Sequence, residues 1–136
     1  MSAPHAATPF AEVIGDPIAH SKSPLIHRFW LDELGLAGAY GRRQVAPDAL
    51  ADYLAAARAD PAWRGCNVTI PHKVAVMDLV ADPGNIRGTI GAMNTIMRQP
   101  DGAVIGTNTD AAGFYAPLAE LDLEGAPVVV IGAGGA

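Results

Sequence analysis

Four short polar clusters contain the side chains of this sequence that could carry chemistry. They occupy residues 20–24, 67–73, 94–95 and 106–110. Each lies next to an apolar run that is typical of a β-strand, and ligands of open α/β sheets bind where strands end. We therefore expect these clusters to supply a binding site.

The first cluster, His-Ser-Lys-Ser-Pro, stands where a helix is expected to begin. Ser21 and Ser23 would place two hydroxyls beside backbone N–H groups that the helix leaves free, which makes a cradle for a carboxylate. The same residues also fit an ordinary N-terminal helix cap, and the spacing by itself favours the cap. Both interpretations stay open at this point.

The second cluster, Asn-Val-Thr-Ile-Pro-His-Lys, ends a short strand. Strand alternation points Asn67 and Thr69 to one side of the sheet, and Lys73 follows just beyond the strand end. A lysine near a carboxylate could exchange a proton with a substrate hydroxyl at this place. The alternative is a solvated surface lysine, which is the commoner fate of this residue type.

The last two clusters contain an amide and a carboxylate. Asn94 lies in a mostly apolar strand, and a buried asparagine needs partners in the backbone or in a ligand. Asp110 follows a strand that ends near Thr107, so it could cap the next helix or pair with Lys73. The spacing does not decide between these two roles.

The charge balance argues against some classes of partner. Nine lysines and arginines against fourteen acidic residues give a formal net charge of −5. A surface of this sign repels phosphate at long range, so we expect neither nucleic acid nor a membrane as a partner. The N-terminus lacks the basic and apolar stretches of a signal peptide, and no apolar run is long enough to span a membrane.

The cysteine and histidine content argues against other kinds of site. The single cysteine, Cys66, excludes an internal disulfide and a multi-cysteine zinc site, and it points to a reducing cytosol. The four histidines form no close i, i+4 pair, so we expect no metal site. A G-x-S-x-G elbow, which would mark a serine nucleophile, is absent.

The elements that must position the clusters alternate between strands and helices. This order predicts a mainly parallel α/β sheet, with one antiparallel strand contributed by a hairpin. Helices are predicted at 23–34, with Ser23 as N-cap, and at 47–60, 73–80, just after Pro83, and 109–121. Strands are predicted at 11–15, 40–45, 66–70, 92–98, 103–107 and 127–131.

The last residues contain an apolar strand followed by a glycine-rich turn. Glycines after such a strand let the backbone approach a pyrophosphate at the next helix N-terminus. That helix is not in the sequence. We therefore expect the chain to be the N-terminal piece of a longer protein.

Five motifs, in order along the chain, resemble the shikimate dehydrogenase family. They are GDPIAHSKSP at 15–24, NVTIPHK at 67–73, GAMNT at 91–95, NTD at 108–110 and VVIGAGGA at 129–136. The resemblance implies a three-layer α/β/α domain with an open, mainly parallel sheet, followed by the first strand and turn of a truncated Rossmann domain. It implies a flexible arm at 1–10, a substrate-binding catalytic domain at 11–108, a linking helix at 109–126 and the start of an NADP-binding domain at 127–136.

The same resemblance implies the reaction and the site. The reaction would be the reversible reduction of 3-dehydroshikimate to shikimate with NADPH, in a monomer or homodimer and without a metal. Lys73 would be the acid/base group with Asp110 beside it. Ser21 and Ser23 would bind the substrate carboxylate, Thr69, Asn94 and Asp110 its hydroxyls, Asn67 would shape the same wall, and Gly132, Ala133, Gly134, Gly135 and Ala136 would begin the cofactor's pyrophosphate loop.

Three other interpretations stay open. A quinate/shikimate dehydrogenase that uses NAD would share these motifs. A non-catalytic domain could bind a small hydroxy acid through the same cradle, although it would need no proton-transfer group. The chain by itself is expected to be inactive, because the rest of the cofactor domain is missing.

Overall fold

The computed structural model of this chain describes residues 7–129 and residue 131. The predicted pyrophosphate loop at 132–136 lies outside the described residues. Residues 127–129 are described and form no strand, contrary to the strand predicted at 127–131. A strand exists only through its hydrogen-bonded neighbours, and no described residue pairs with this stretch. The truncated Rossmann domain therefore remains a prediction.

Five strands form one sheet in the order β2-β1-β3-β4-β5. They are β1 (Phe10–Gly15), β2 (Ala39–Gln44), β3 (Trp63–Val68), β4 (Thr95–Arg98) and β5 (Val104–Thr107). β1 is parallel to β2 and β3, whereas β4 is antiparallel to β3 and β5. Four strands thus share one direction, which confirms the mainly parallel sheet with one antiparallel strand.

Successive residues of β1 face two different apolar layers, as strand alternation requires. Ile14 joins the larger core with Leu54 of α2 (Leu50–Ala59). Val13 faces the opposite side and packs with Tyr40 and with Leu31 of α1 (Ser23–Glu33). Helices on both faces of the sheet give the expected three layers.

The prediction of a helix at 73–80 is wrong. The segment contains only a 3₁₀ turn at Ala75–Asp78. The carbonyl of Lys73 accepts the Met93 N–H at 2.8 Å, so it is bonded across the fold rather than along a helix. His72 is buried and its Nε2 lies 2.7 Å from the Val45 carbonyl, which holds the segment against the end of β2.

The remaining element bounds differ by a few residues. A 3₁₀ turn (Pro47–Ala49) precedes α2, and the short helix after Pro83 is α3 (Ile86–Thr89). The third strand was predicted at 66–70, whereas β3 begins at Trp63 and ends at Val68. The last helix was predicted at 109–121, but α4 covers Asp110–Tyr115 and a 3₁₀ turn follows at Ala116–Leu118. Pro117 explains the early end, because proline has no N–H to continue an α-helix.

Candidate active site

A lysine and an aspartate form an ion pair where β3 and β5 end. The Nζ atom of Lys73 lies 2.6 Å from Oδ2 of Asp110. The lysine side chain is 17% exposed and the aspartate 53%, so the pair is open to solvent mainly on the carboxylate side. Such a pair can move a proton to or from a ligand oxygen. The surface-lysine interpretation therefore does not hold for Lys73.

The pair borders a cavity of about 240 Å³, with Val13, His27 and Val68 among its walls. Six of the seven predicted substrate-binding residues line it. These are Ser23, Asn67, Thr69, Lys73, Asn94 and Asp110. They come from α1, from β3 and the segment that follows it, from the residue before β4 and from the start of α4, so the fold collects residues that are distant in the sequence.

Ser21 is the predicted residue that does not line this cavity. Its hydroxyl instead accepts the backbone N–H of Ser23 at 3.3 Å. α1 begins at Ser23, with Lys22 at the cap position, so Ser23 is not the N-cap that the sequence predicted. The hydroxyl of Ser21 forms the turn that precedes the helix, which leaves the hydroxyl of Ser23 beside the cavity.

Asn94 is fixed in one orientation by its neighbours. Its Oδ1 accepts the backbone N–H of Thr109 at 2.9 Å, and a backbone N–H can only donate. Nδ2 must therefore be the other atom, and it donates to Oδ1 of Asp110 at 2.7 Å. Asn94 is buried, so this amide holds the carboxylate of Asp110 toward Lys73.

The start of α4 resolves the open question about Asp110. No side-chain hydrogen bond from the cap residue is present at this helix end. Oδ1 of Asn108 accepts the backbone N–H of Ala111 at 3.1 Å and so serves the first turn. Asp110 is the partner of Lys73 rather than a helix cap.

Two residues next to the cavity were missed by the sequence analysis. The hydroxyl of Tyr40 donates to Oδ1 of Asn67 at 2.6 Å. The ring of His27 stacks on that of Tyr40, with 3.9 Å between centroids and 8° between planes. In the sequence they are simply a tyrosine in a predicted strand and a histidine in a predicted helix. The sheet register that brings them together is not visible in the sequence, so no motif marks them.

A second, mostly apolar groove of about 490 Å³ adjoins the first cavity and shares His27 and Asn67 with it. Trp30 and Leu31 of α1, together with Leu34 just after that helix, form one wall. Two kinds of surface therefore meet at Asn67, one polar and one apolar.

The described residues contain neither a metal-ligand cluster nor a membrane-spanning helix. No group of three or more histidine, cysteine, aspartate or glutamate side chains in this part of the chain could hold a metal ion. Each helix that the structure describes is too short or too polar to cross a bilayer.

The fold and cavity together define an α/β domain with a polar cavity beside a lysine–aspartate ion pair. The sequence model of the family described as "Shikimate dehydrogenase substrate binding domain" matches residues 13–96, which is more than half of the chain. The chain belongs to this family.

Known proteins that are similar to this chain carry the same family name. The NADP(+) shikimate dehydrogenase of Sphingopyxis alaskensis is 77% identical over all 136 residues, which correspond to 49% of that protein. The chain thus spans about half the length of the curated relatives it matches. Shikimate 5-dehydrogenase of Thermus thermophilus, crystallised with NADP(H) and shikimate, is 38% identical with a TM-score of 0.74, over 88% of this chain and 43% of that one.

A solved structure with another activity is also similar. The ligand-free 5-ketofructose reductase of Gluconobacter sp. strain CHM43 is 31% identical with a TM-score of 0.76, over 85% of this chain and 41% of that one. Proteins with this fold therefore carry different activities in their names, so a function has to be argued from the site rather than from the fold.

Proposed function

We propose that the full-length protein is an NADP-dependent shikimate dehydrogenase, which interconverts 3-dehydroshikimate and shikimate. The observation that carries this proposal is the Lys73–Asp110 pair on a cavity lined with hydroxyl and amide groups. The family and the 77% identity to an NADP(+) shikimate dehydrogenase support it.

Each side chain has a role that its position allows. Ser23 and the N-terminus of α1, with Ser21 forming the preceding turn, bind the substrate carboxylate, because a helix N-terminus favours an anion. Thr69, Asn94 and Asp110 bind hydroxyls, and Asn67 forms the wall between them. Lys73 donates a proton to the ketone oxygen during reduction and removes it during oxidation.

The cofactor supplies the hydride when it is bound. The residues proposed to begin its pyrophosphate loop, Gly132 to Ala136, lie outside the described part of the chain. We propose the division into a substrate domain at 11–108, a linker at 109–126 and a cofactor domain from 127. A cytosolic location and a monomeric or homodimeric state also remain predictions.

The site favours this function over its alternatives. A binding domain without catalysis would need no proton-exchanging pair, so Lys73 and Asp110 argue against it. A ketosugar has no carboxylate, so the helix N-terminus at Ser23 favours an acid substrate. The quinate/shikimate dehydrogenase that uses NAD stays the nearest alternative, since quinate also carries a carboxylate and hydroxyls.

The test is a substrate and cofactor comparison on the purified full-length protein. We expect 3-dehydroshikimate to drive NADPH oxidation at roughly 1–10³ s⁻¹. The same assay is run with NADH, 3-dehydroquinate and 5-ketofructose. Reduction of one of these other ketones without reduction of 3-dehydroshikimate would overturn the proposal, and a preference for NADH with both acids would favour the quinate/shikimate alternative.

A further inference from the structure

Tyr40 reaches across a neighbouring strand to touch the cavity wall. It lies on β2, whereas Asn67 lies on β3, and β1 runs between them. At the register of Tyr40, the row across the sheet continues with Ala11 and then Gly65. These small residues leave room for the ring, and Ala11 packs against the cluster that contains Tyr40.

The hydrogen bonds that start at Tyr40 all run in one direction. Tyr40 donates to Oδ1 of Asn67 at 2.6 Å, and Nδ2 of Asn67 donates to Oγ1 of Thr95 at 3.2 Å. Thr95 in turn donates to Oδ1 of Asn94 at 2.9 Å. Oδ1 of Asn94 is an acceptor, because it also receives the backbone N–H of Thr109. The single hydroxyl hydrogen of Thr95 therefore points to Asn94, so the Thr95 oxygen can only accept from Nδ2 of Asn67.

Tyr40 is the donor in its contact with Asn67, because the amide oxygen that it meets can only accept. Tyr40 is 4% exposed, and burial raises its pKa above the usual range, so the hydroxyl keeps its proton at neutral pH. The donated hydrogen commits the Asn67 carbonyl oxygen to Tyr40. The second hydrogen on Nδ2 has no protein acceptor among the described residues, and Asn67 lines the cavity beside Lys73.

We propose that Tyr40 is a positioning residue, which locks the side-chain amide of Asn67 so that an N–H donor faces a hydroxyl oxygen of the substrate. This inference rests on the proposed function. Without the phenol hydroxyl, only the longer bond from Nδ2 to Thr95, at 3.2 Å, holds the amide, so its orientation is less firmly fixed and the N–H donor is presented to the substrate for a smaller fraction of the time.

The experiment is a double-mutant cycle between Tyr40 and Asn67 in the full-length protein. Tyr40→Phe keeps the ring that stacks on His27 and removes only the hydroxyl group that donates to Asn67. We expect it to raise KM for shikimate roughly three- to tenfold, with kcat changed by less than about twofold. In the Asn67→Ala background the same change should leave KM as it is, because the residue through which Tyr40 acts is gone.

The matched control is Tyr53→Phe. Tyr53 is partly buried, and its hydroxyl donates to Oε1 of Glu12 at 2.9 Å on the other face of the sheet. This variant should leave KM for shikimate unchanged even if it lowers the melting temperature. An equal rise of KM in both tyrosine variants would overturn the proposal, since it would reveal a general loss of structure.

A second variant tests the amide without changing Tyr40. Asn67→Asp keeps the shape and the acceptor for Tyr40 but removes both N–H donors, so we expect KM to rise at least as much as in Tyr40→Phe. Unchanged KM in Asn67→Asp, or a Tyr40→Phe effect of the same size with and without Asn67, would overturn the inference alone. No turnover of shikimate by the unmodified protein would overturn the proposed function and the inference together.

Discussion

Lys73 is held in place by contacts at both ends of the residue. Its carbonyl is bonded to the Met93 N–H, and its ammonium group lies against Asp110, which Asn94 holds from behind. A side chain so placed has little freedom to leave the cavity. This explains how a residue type that is usually mobile on the surface can serve as a positioned acid.

Replacing Lys73 tests the proton-transfer role. We expect Lys73→Ala to lower kcat by about 10²–10⁴-fold, because a positioned acid/base contributes that much in the transition state. Steady-state kinetics with shikimate and NADP⁺ measures it. Arg87→Ala is the control, since Arg87 is in an exposed ion pair with Asp78 that does not line the cavity. Near-normal kcat in Lys73→Ala would remove the lysine from the mechanism.

The two serines near the start of α1 should behave differently. Ser23→Ala should raise KM more than it lowers kcat, by about tenfold or more, since a hydrogen bond to a carboxylate contributes about 1.5–3 kcal/mol. Ser21→Ala should also raise KM and in addition lower stability by about 1 kcal/mol, because its hydroxyl accepts the Ser23 N–H. Kinetics and thermal melting together distinguish the two. An unchanged KM in both variants would mean that neither serine binds the carboxylate.

The ends of β1 and β3 position Thr69 through a close backbone approach. The Thr69 N–H donates to the Ile14 carbonyl at 3.0 Å, and the Asp16 N–H donates to the Ile70 carbonyl at 3.0 Å. Gly15 lies between these contacts. A Cβ atom on Gly15 would lie 2.6 Å from Cγ2 of Thr69 and 2.9 Å from the Ile70 oxygen, so the site requires a residue without a side chain there.

This close approach predicts the effect of Gly15→Ala. The added methyl group should displace Thr69 and cost about 1–3 kcal/mol of folding free energy, with a rise in KM for shikimate. Gly41→Ala is the matched control, because a Cβ on this β2 glycine meets nothing within 4 Å. Denaturant unfolding and kinetics measure both variants. Equal stability of the Gly15→Ala and Gly41→Ala variants would show that the backbone at the end of β1 can shift to accommodate the added methyl group.

Strand and helix types were predictable because apolar periodicity reports which residues face the core. β1, β2, β4 and β5 lie close to their predicted positions, and so do α1 and α2. The segment at 73–80 was not predictable, because its helical pattern is overridden by bonds to Met93 and Val45 that lie far away in the sequence. Element types are local properties, whereas this segment is set by tertiary contacts.

The candidate site was predictable as a set of residues but not as a geometry. The motifs supplied Lys73 and Asp110, and only the structure shows that they touch. Tyr40 could not be found, because it meets Asn67 through the order of three strands rather than through any spacing in the chain. Register and strand order are non-local, so a motif does not encode them.

Over the whole molecule, the buried ionisable groups lie on both faces of the sheet. Glu12 is 6% exposed and accepts from Arg43 and from Tyr53 on the α2 side. Cys66 is buried on the same sheet, and burial raises its pKa from 9.0 to about 12. Burial also raises the pKa values of Tyr40 and Tyr53 above their usual range. The fold therefore holds several protons more tightly than the unfolded chain does.

This difference predicts a loss of stability in alkali. Below about pH 9 the Cys66 thiol is protonated in both the folded and the unfolded state, so its contribution to stability is complete. That contribution is lost as the pH rises toward 12, because the unfolded chain releases the proton first. Above about pH 9 the Cys66 thiol should remove about 1.4 kcal/mol per pH unit, and Tyr40 and Tyr53 should add to this slope only above about pH 10. Denaturant unfolding at several pH values measures the slope. Cys66→Ala should give a shallower slope than the unmodified protein, and an identical slope would contradict this origin.

The strand order also determines when the cavity can exist during folding. β4 and β5 are joined by a turn of a few residues, so this hairpin can close early. The contact between Lys73 and Asp110 spans 37 residues, and that between Tyr40 and Asn67 spans 27 residues and needs β1 in place between them. Closing such long loops costs entropy that only the finished sheet recovers. The cavity therefore forms late, after the strands have taken their final order, and a newly synthesised molecule has no such cavity before the central strands have paired.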